Sequence, residues 1–409
     1  MEILPILSSL RRHKSAVVLI GLQIALTLSV VCNFMSIVQQ RMAHVERPTG
    51  IDEANIFTIQ NQWLGDTADL KARIETDLAT IRAVPDVVDA YVTNSVPLLG
   101  HGRTGPIFLS PDKQSQSGSA EEYFADEHGI NTLNIRLVRG RWLTAADVED
   151  LDERDTTIPV NVVVTQQLAD FLFPRADALG RIIYPAGSFN PPNRVVGIVE
   201  HVQTDWAFQS SPIANGLADD SIFLPYRLIS KEVLYVVRTR PGSLLTARRT
   251  VQKQLYSLSQ DRLIEDDRTF GQIRADAYRS LRWSIVPLSA ICILLLIVTA
   301  GGIIGLNTYW VSQRRRYIGM RRALGARRID ILRYIHLENL LISAGACIAG
   351  TLICLVMNIW LASIAEVTRM SLTYVCFVAL AVIVLCQASV LWPAFRASLI
   401  APATASRGL

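Results

Sequence analysis

Four long stretches of the 409-residue chain hold no charged side chain: residues 16–38, 284–311, 339–361 and 372–392. A helix needs about 20 residues to cross a hydrocarbon layer of ~30 Å, and each stretch is long enough. Because backbone polar groups in lipid must be satisfied internally, each stretch is predicted to be a transmembrane α-helix. A buried helix of a soluble core is the alternative, and four such stretches in one chain argue against it.

In the long loop between the first two runs, residues 39–282, hydrophobic residues instead recur at the spacings of strands and amphipathic helices. Its two ends read alike, as two similar halves at about 50–99 and 231–269. Each half is predicted to be a strand, a helix and a strand, at 56–60, 67–84 and 88–96 and then at 234–240, 243–258 and 263–269. Two β-α-β units around one sheet predict a ferredoxin-like split arrangement.

The stretch between those halves, about 100–230, is rich in Gly, Pro, Ser and charge and is predicted to be a mostly β insertion. Within it we expect a strand-helix unit at 161–173 and a strand at 194–201. Two amphipathic stretches, 39–46 and 270–283, flank the outer domain. They are predicted to be helical stalks continuous with the neighbouring spans.

Composition agrees with the apolar runs. Half of the residues are hydrophobic and 19% are charged, where a globular domain has about a quarter. These values exclude a disordered chain, a collagen and a disulfide-stapled mini-protein. All six cysteines fall in the apolar runs, where they are expected to act as small hydrophobic residues. The outer domain therefore does not depend on disulfides.

The distribution of charge predicts the orientation. Residues 312–336 hold eight arginines and one acid, Asp330, and the two terminal segments are also basic. The long loop 39–282 holds 26 basic and 32 acidic residues, a net charge of −6. Since Lys and Arg near span ends mark the cytoplasmic side, both termini are predicted to be cytoplasmic and the loop to face outward.

A search for catalytic chemistry finds no constellation, and no catalytic, cofactor-binding or metal-binding residue is assigned. Residues 100–105 match GxGxxG, but Pro106 and an extended pattern follow, whereas a dinucleotide site needs a helix there. The sequence has no GxxxxGK[ST] motif for nucleotide phosphates and no GxSxG elbow. Its six histidines show no metal-ligand spacing.

The basic segment between the second and third runs has its own pattern. In residues 314–332 Ile318, Ala323, Leu324, Ile329 and Leu332 interleave with the arginines, and the pattern predicts two short amphipathic helices broken at Gly325. A charge cluster lying on anionic lipid is the alternative interpretation. It explains the charge but not the arrangement of the apolar residues.

At these residues the chain resembles the MacB/FtsX-type permeases of ABC transporters. The family signature R-x-R-E-I-G-x-x-R-A-L-G-A-x-x-x-D-I is matched by Arg314, Arg316, Ile318, Gly319, Arg322, Ala323, Leu324, Gly325, Ala326, Asp330 and Ile331. Residues 337–343, 393–403, 140–144 and 162–199 also resemble family segments. One departure is Tyr317, which stands where the family has Glu. It favours a degenerate half of a heterodimer over a simple homodimer.

The resemblance implies a permease of the mechanotransmission kind in the bacterial inner membrane. Two copies of a separate ABC ATPase would bind ATP, so no cofactor is expected in this chain and it is not expected to be an enzyme. A second permease subunit, a periplasmic adaptor and an outer-membrane channel are further implied partners, and nucleic acid is not. The ATPase is expected to contact Ile318, Gly319, Arg322, Leu324, Gly325, Arg328 and Glu338.

The sequence thus predicts a membrane protein with four transmembrane α-helices and an α+β periplasmic domain inserted between helices 1 and 2. The expected divisions are 1–38, 39–282, 284–311, 312–336, 339–361, 372–392 and 393–409. Its expected function is to convert ATP hydrolysis by the partner into periplasmic movement that drives efflux. The alternative is an FtsX-like signalling protein that controls a periplasmic partner and transports nothing.

Overall fold

The computed structural model describes residues 14–65, 69–111, 117–151, 160–185, 192–205, 219–313, 327–365 and 370–398. They fall into two compact units, an outer unit at 46–280 and a spanning unit formed by the residues before 46 and after 280. Each unit has its own core.

The spanning unit contains four long helices: α1 (Lys14–Val45), α7 (Arg279–Gln313), α8 (Arg328–Ala365) and α9 (Leu372–Ser398). Among the described residues, four helices are long and apolar enough to cross a membrane, at Val17–Gln40, Ile285–Gly305, Arg328–Leu361 and Leu372–Arg396. Their apolar character runs around the whole helix, as expected of segments that face lipid on one side and neighbouring helices on the other.

Helix α8 is the centre of this unit and packs along both α1 and α9. At Gly350 the two backbones come close, because an added Cβ would lie 2.8 Å from the carbonyl oxygen of Ala25 and 2.9 Å from its Cα. Small residues permit such an approach between spanning helices. Gly301 and Gly305, which are four residues apart on α7, make no such approach, since among the described residues neither has a neighbour within 4 Å of an added Cβ.

The first lobe of the outer unit is a four-stranded antiparallel sheet of β1 (Ile56–Trp63), β2 (Val87–Thr93), β12 (Glu232–Thr239) and β13 (Arg262–Thr269). The strand order β13-β1-β12-β2, with β1-α-β2 and β12-α-β13 chain paths, is that of a ferredoxin-like split. Helices α2 (Leu70–Arg82) and α5 (Leu244–Leu258) supply apolar residues at helical spacing to its core. In α5 these are Ala247, Val251 and Leu255.

The insertion forms a second lobe, a closed barrel. Its strands are β3 (Arg103–Phe108), β4 (Gly118–Phe124), β7 (Asn161–Thr165), β8 (Ile182–Pro185), β9 (Asn193–Val199) and β10 (Ser221–Leu224). The pairings run β9-β7-β10-β4-β3-β8 and return from β8 to β9, so the sheet closes on itself. All six strands contribute to one apolar cluster, which helix α4 (Gln166–Leu172) joins with Leu168, Ala169 and Leu172.

The remaining elements of the outer unit are short. Strand β5 (Leu137–Gly140) pairs with β9, and β6 (Glu149–Leu151) pairs with β11 (Tyr226–Leu228). Helix α3 (Gly129–Leu133) lies against the first lobe, and α6 (Phe270–Ala277) follows β13.

The two stalks differ from each other. The first is helical to Val45 as the outer part of α1, in line with a stalk continuous with its span. The second is interrupted, since α6 ends at Ala277 and α7 begins at Arg279. Tyr278 between them is fully buried, with non-helical dihedral angles of −93° and 5°.

Candidate functional site

The predicted ATPase-coupling residues are described in part. Ile318, Gly319, Arg322, Leu324 and Gly325 lie outside the described residues, as does Tyr317. Arg328 begins α8 with an exposed side chain. Glu338, ten residues further along the same helix, is only 5% exposed. Arg328 is thus accessible to a partner, whereas Glu338 is packed within the spanning unit.

The first turns of α8 are amphipathic. The Asp330 carboxylate accepts a hydrogen bond from the backbone N–H of Arg327 at 2.9 Å, which caps the start of the helix. Ile331 and Ile335 are buried in the spanning unit, while Arg328 and Arg333 are exposed. This end of α8 therefore exposes arginines beside an apolar face packed on its neighbours.

A second candidate site, which the sequence did not reveal, lies where the chain enters and leaves the outer unit. We call it the root: the incoming residues 46–53, the segment 200–205 after β9, and the outgoing helix α6 with Tyr278. Gln203 is its hub. Its backbone N–H donates to Thr49 O at 2.9 Å, its side-chain Nε2 donates to Tyr278 Oη at 2.9 Å, and its carbonyl accepts from Tyr123 Oη at 2.9 Å.

Gln203 thus holds three elements with three separate groups: the incoming chain, the outgoing helix and barrel strand β4. Gln203 is 4% exposed, and Tyr278 and Tyr123 are also buried. A buried hydrogen bond costs more to lose than an exposed one, because the abandoned partner has no water to replace it.

Arg274 on α6 fastens the outgoing helix directly to the incoming chain. Its guanidinium pairs with Glu53 and donates to the carbonyl of Arg47 at 2.8 Å. It also lies 5.9 Å from the ring centroid of Tyr278, within reach of a cation–π interaction. The two ends of the outer unit are therefore joined to each other as well as to Gln203.

Backbone packing makes the root tight at Gly50. Its φ of +84° suits glycine, and an added Cβ would overlap the backbone carbonyl of His201. His201 also makes a hydrogen bond through Nε2 with the carbonyl of Pro48 at 2.6 Å. Only a glycine at position 50 lets the incoming chain lie against segment 200–205.

Charge reinforces the same contact. Asp219 pairs with Arg47 and with His201 Nδ1, the latter at 3.1 Å. The hydrogen bond to Asp219 raises the pKa of His201. Burial raises the pKa of the neighbouring Asp220 to about 7. A cavity of about 480 Å³ opens beside these residues and is lined by Arg47, Gly50, Arg136, Glu200 and His201, among others.

The glycine-rich stretch 100–105 serves the fold of the barrel. The backbone N–H groups of Gly100 and Gly102 and the Ser95 hydroxyl donate to the Asp205 carboxylate, and Ser95 Oγ lies 2.7 Å from Asp205 Oδ1. Its amides thus bind an internal carboxylate. Among the described residues, no group of three or more His, Cys, Asp and Glu is placed to hold a metal ion.

Sequence reasoning missed the root for a physical reason. Gln203 and Tyr278 are 75 residues apart and belong to no motif. The amphipathic pattern of residues 270–283 predicted a helix that leads to the second span. It did not indicate that Gln203 would be the buried partner of this segment.

Two family models match this chain. The model of the MacB-like periplasmic core domain matches residues 15–253, and that of the FtsX-like permease C-terminal region matches residues 289–402. The first covers more than half of the chain, and the second covers the last three apolar helices.

Several curated proteins are similar in sequence. The macrolide export ATP-binding/permease protein MacB of Shewanella sp. (strain W3-18-1) is 28% identical over 220 residues, which are 52% of this chain and 32% of that protein. The MacB protein of Acinetobacter baylyi is 24% identical over 326 residues, which are 76% of this chain and 44% of that protein. This chain therefore spans less than half the length of these relatives.

Solved structures of outer domains are also similar to it. The periplasmic region of MacB from Actinobacillus actinomycetemcomitans aligns with a TM-score of 0.34 at 18% identity, covering 57% of this chain and 96% of that one. The extracellular domain of the noncanonic ABC-type transporter YknZ from Gram-positive bacteria aligns with a TM-score of 0.30 at 13% identity, covering 51% and 100%.

Proposed function

Because this chain belongs to the FtsX-like permeases with a MacB-like periplasmic core domain, we propose that it is the permease subunit of an ABC exporter. In this proposal, a separate ATPase hydrolyses ATP and the permease converts that energy into movement of its outer unit. The names of the curated relatives include both ATP binding and a permease. Residues 1–409 hold no phosphate-binding motif, so ATP would be bound outside them.

The hydrogen bonds and ion pairs of the root support the proposal that the outer unit moves. A protein that transmits movement needs rigid contacts between the element that is displaced and the element that responds. At the root, Gln203 and Arg274 tie the incoming chain, the outgoing helix and the barrel together through buried or charge-assisted contacts. A displacement of residues 46–53 or of α6 would therefore move segment 200–205 with it.

The root proposal can be tested with Gln203→Leu and Tyr278→Phe, which remove the same hydrogen bond from either side. Spin labels at exposed Lys253 on α5 and Arg181 in the barrel, on a background without native cysteines, would report the distance between the lobes in the complex with its ATPase. We expect ATP to shift that distance in the parent protein and to shift it much less in both variants, while ATP hydrolysis continues.

The matched control is Gln260→Leu, which removes an exposed glutamine of the same unit. It should behave as the parent protein does. An undiminished shift in both Gln203→Leu and Tyr278→Phe would show that the root does not transmit the movement.

We further propose that the cytoplasmic segment 314–332 docks the ATPase. Its sequence combines apolar residues with arginines, and the side chain of Arg328, at the start of α8, is exposed. Leu324→Asp would place an unpaired charge in an apolar groove, so the ATPase should be lost on purification. The control Leu109→Asp changes an exposed leucine of the barrel and should retain it. If the Leu324→Asp variant retains a stoichiometric amount of ATPase, the segment is a charge cluster on the lipid surface.

The proposed orientation places the outer unit in the periplasm of a bacterial inner-membrane protein, with both termini cytoplasmic. The charge distribution supports it. Cysteines introduced at Ser117 and Ser312 would be probed with an impermeant thiol reagent in intact cells, on a background without native cysteines. We expect labelling at 117. Labelling at 312 without labelling at 117 would reverse the orientation.

A further inference from the structure

Segment 200–205 of the root is held at its first end by a histidine whose two ring nitrogens both face acceptors. His201 Nε2 lies 2.6 Å from the carbonyl oxygen of Pro48, and Nδ1 lies 3.1 Å from Asp219 Oδ1. Asp219 also forms an ion pair with Arg47, so its carboxylate oxygens act as acceptors. A neutral imidazole carries one N–H group, whereas an imidazolium carries two. Both contacts of His201 are therefore satisfied only when its ring is protonated.

At its last end the segment is held by two buried carboxyl groups. Asp205 is 0% exposed and Glu121, on strand β4, is 1% exposed. An added Cβ on Gly102 would overlap both Asp205 Oδ2 and Glu121 Oε1, so these two oxygens are close neighbours. Asp205 accepts hydrogen bonds from the Ser95 hydroxyl and from the backbone amides of Gly100 and Gly102, which favour its charged form.

One proton on Glu121 makes this arrangement stable. Two neighbouring carboxylates repel each other when both are ionised, and burial disfavours the second charge further. Glu121 Oε1 is buried and has no hydrogen-bond partner among the described residues. A proton on this oxygen removes the repulsion and is positioned for donation to Asp205 Oδ2. Burial accordingly raises the pKa of Glu121 to about 7, and it raises the pKa of Asp205 as well.

Other charged or titratable groups surround these two ends of the segment. Those near His201 are Arg47, Arg136, Glu200, Asp219 and Asp220. Those near Glu121 and Asp205 are Arg103, Glu122 and Tyr123. Burial raises the pKa of Asp220 to about 7, so this residue gains its charge as the pH rises. Its charge would hold the proton of His201 to a higher pH without reversing the direction of the effect.

We propose that protons fasten segment 200–205 at both ends, one on His201 and one between Glu121 and Asp205, so that a rise in pH loosens the root. The hydrogen bond to Asp219 raises the pKa of His201. The contribution of His201 is therefore full below its ordinary pKa of about 6.5 and is lost as the pH rises through the folded value. The contribution of Glu121 is full below about 4.5 and is lost as the pH rises to about 7.

This pH dependence belongs to the outer unit and requires neither an ATPase nor an exported substrate, so it can fail or hold apart from the proposed function. Hydrogen–deuterium exchange of the purified full-length chain in detergent, read by mass spectrometry, tests it. The amides of Gly100, Gly102 and Gln203 donate within the fastened region. After correction for the intrinsic exchange rate, their protection should fall by about tenfold or more between pH 6 and pH 8, because one pKa unit is a tenfold change.

Two substitutions each remove the titration at one end. Glu121→Gln keeps an N–H donor in place at every pH, so the protection of residues 98–102 should stay high at pH 8. His201→Gln has a single donor group and cannot become charged, so the protection of Gln203 at pH 6 should fall to the level of the parent protein at pH 8.

The matched controls are His101→Gln and Glu149→Gln, which change exposed residues of the same unit and should behave as the parent protein does. In every variant, residues 233–237 of the central strand β12 should keep their protection, which verifies folding. Equal protection of the fastened amides at pH 6 and pH 8 in the parent protein would overturn the proposal. An unchanged pH dependence in either Glu121→Gln or His201→Gln would overturn it as well.

A second measurement needs no substitution. NMR spectra of the chain labelled with ¹⁵N-histidine report how many protons the ring of His201 carries. At pH 7, where an ordinary histidine is mostly neutral, we expect the His201 ring to carry two protons. A neutral His201 ring at that pH would contradict the proposal even if the substituted variants failed to fold.

Discussion

The elements of the outer unit and the helices of the spanning unit are held together by different interactions. In the outer unit, buried ion pairs and hydrogen-bond hubs join strands and helices far apart in sequence, as Gln203 does at the root and Asp77 with Arg262 in the first lobe. In the spanning unit, close packing dominates, as at Gly350, where a helix backbone approaches Ala25.

The contrast has a physical origin. The outer unit folds from a chain that is exposed to water. Each polar group that it buries therefore loses its hydrogen bonds to water and must replace them within the protein. The spanning helices have already satisfied their backbones internally, and lipid is as apolar as their side chains, so fit between surfaces decides their association. Helix α7 is less closely packed among the described residues. Val286, Leu294 and Ile297 are exposed on it, and the buried Thr299 makes a hydrogen bond with Thr27 at 2.7 Å.

The largest expected effect in the outer unit comes from breaking its buried ion pair. Arg262 binds Asp77 through two hydrogen bonds of 2.9 Å, and each side chain is 1% exposed. Tyr235 also donates to Asp77. Arg262→Ala should lower the free energy of unfolding by about 3–5 kcal/mol, because a buried carboxylate is left without its partner. Urea unfolding of the full-length chain, followed by tryptophan fluorescence, measures this.

The paired substitution Asp77→Leu with Arg262→Met is the control. It removes both charges and should recover much of the loss, since apolar replacements of similar volume are tolerated where ion pairs were buried. Equal losses in the single and double variants would attribute the effect to packing.

The next effect concerns pH. Burial, assisted by the nearby Asp205 and Glu122 carboxylates and opposed by the hydrogen bond from the Thr104 hydroxyl, raises the pKa of Glu121 to about 7. Because the folded state favours the protonated acid, this contribution to stability is full below the unfolded pKa of about 4.5 and is lost as pH rises to about 7. The loss is about 3 kcal/mol for this group.

Glu121→Gln keeps an oxygen for Thr104 and removes the titration. Urea unfolding of the parent protein and the variant from pH 4.5 to pH 7.5 should therefore give a smaller decline for the variant. Parallel curves would show that Glu121 does not titrate in this range. Asp220 and Asp126, whose pKa values burial raises to about 7 and about 6, should maintain a residual decline in both proteins.

Close packing in the spanning unit predicts a smaller effect. Gly350→Val would push a side chain into the Ala25 backbone and should lower stability in detergent by about 1–3 kcal/mol. Gly345→Val on the same helix is the matched control, since no described residue lies within 4 Å of its added Cβ. Thermal unfolding monitored by size-exclusion chromatography compares them, and equal melting temperatures would remove the packing argument.

A difference of similar size is expected at the root. Gly50→Ala and Gly65→Ala introduce similar strain, since φ is +84° at Gly50 and +83° at Gly65. Of the two added Cβ atoms, the one at position 50 meets a described backbone, that of His201. Gly50→Ala should therefore lose about 1–3 kcal/mol more than its control on urea unfolding, because the backbone of His201 must move. Equal losses of stability in the two variants would mean that the incoming chain moves at position 50 without cost.

Much of the architecture could be predicted from sequence. The family resemblance drawn from residues 314–332 is confirmed by the two family models, and so is the fold class of four apolar helices with a periplasmic α+β domain after the first. Several strands and helices also lie within a few residues of their predicted limits, such as β13, expected at 263–269 and observed at Arg262–Thr269. Long apolar runs and strict periodicity are properties of neighbouring residues, which a sequence displays directly.

The tertiary structure decided what depends on distant residues meeting. The barrel closes because β8 reaches both β3 and β9, and no local pattern of residues 182–185 states that. The hub at Gln203 and the ion pair of Asp77 with Arg262 likewise join residues from separate elements. Periodicity fixes which face of an element is buried, but the partner of that face is chosen by how all the elements pack at once.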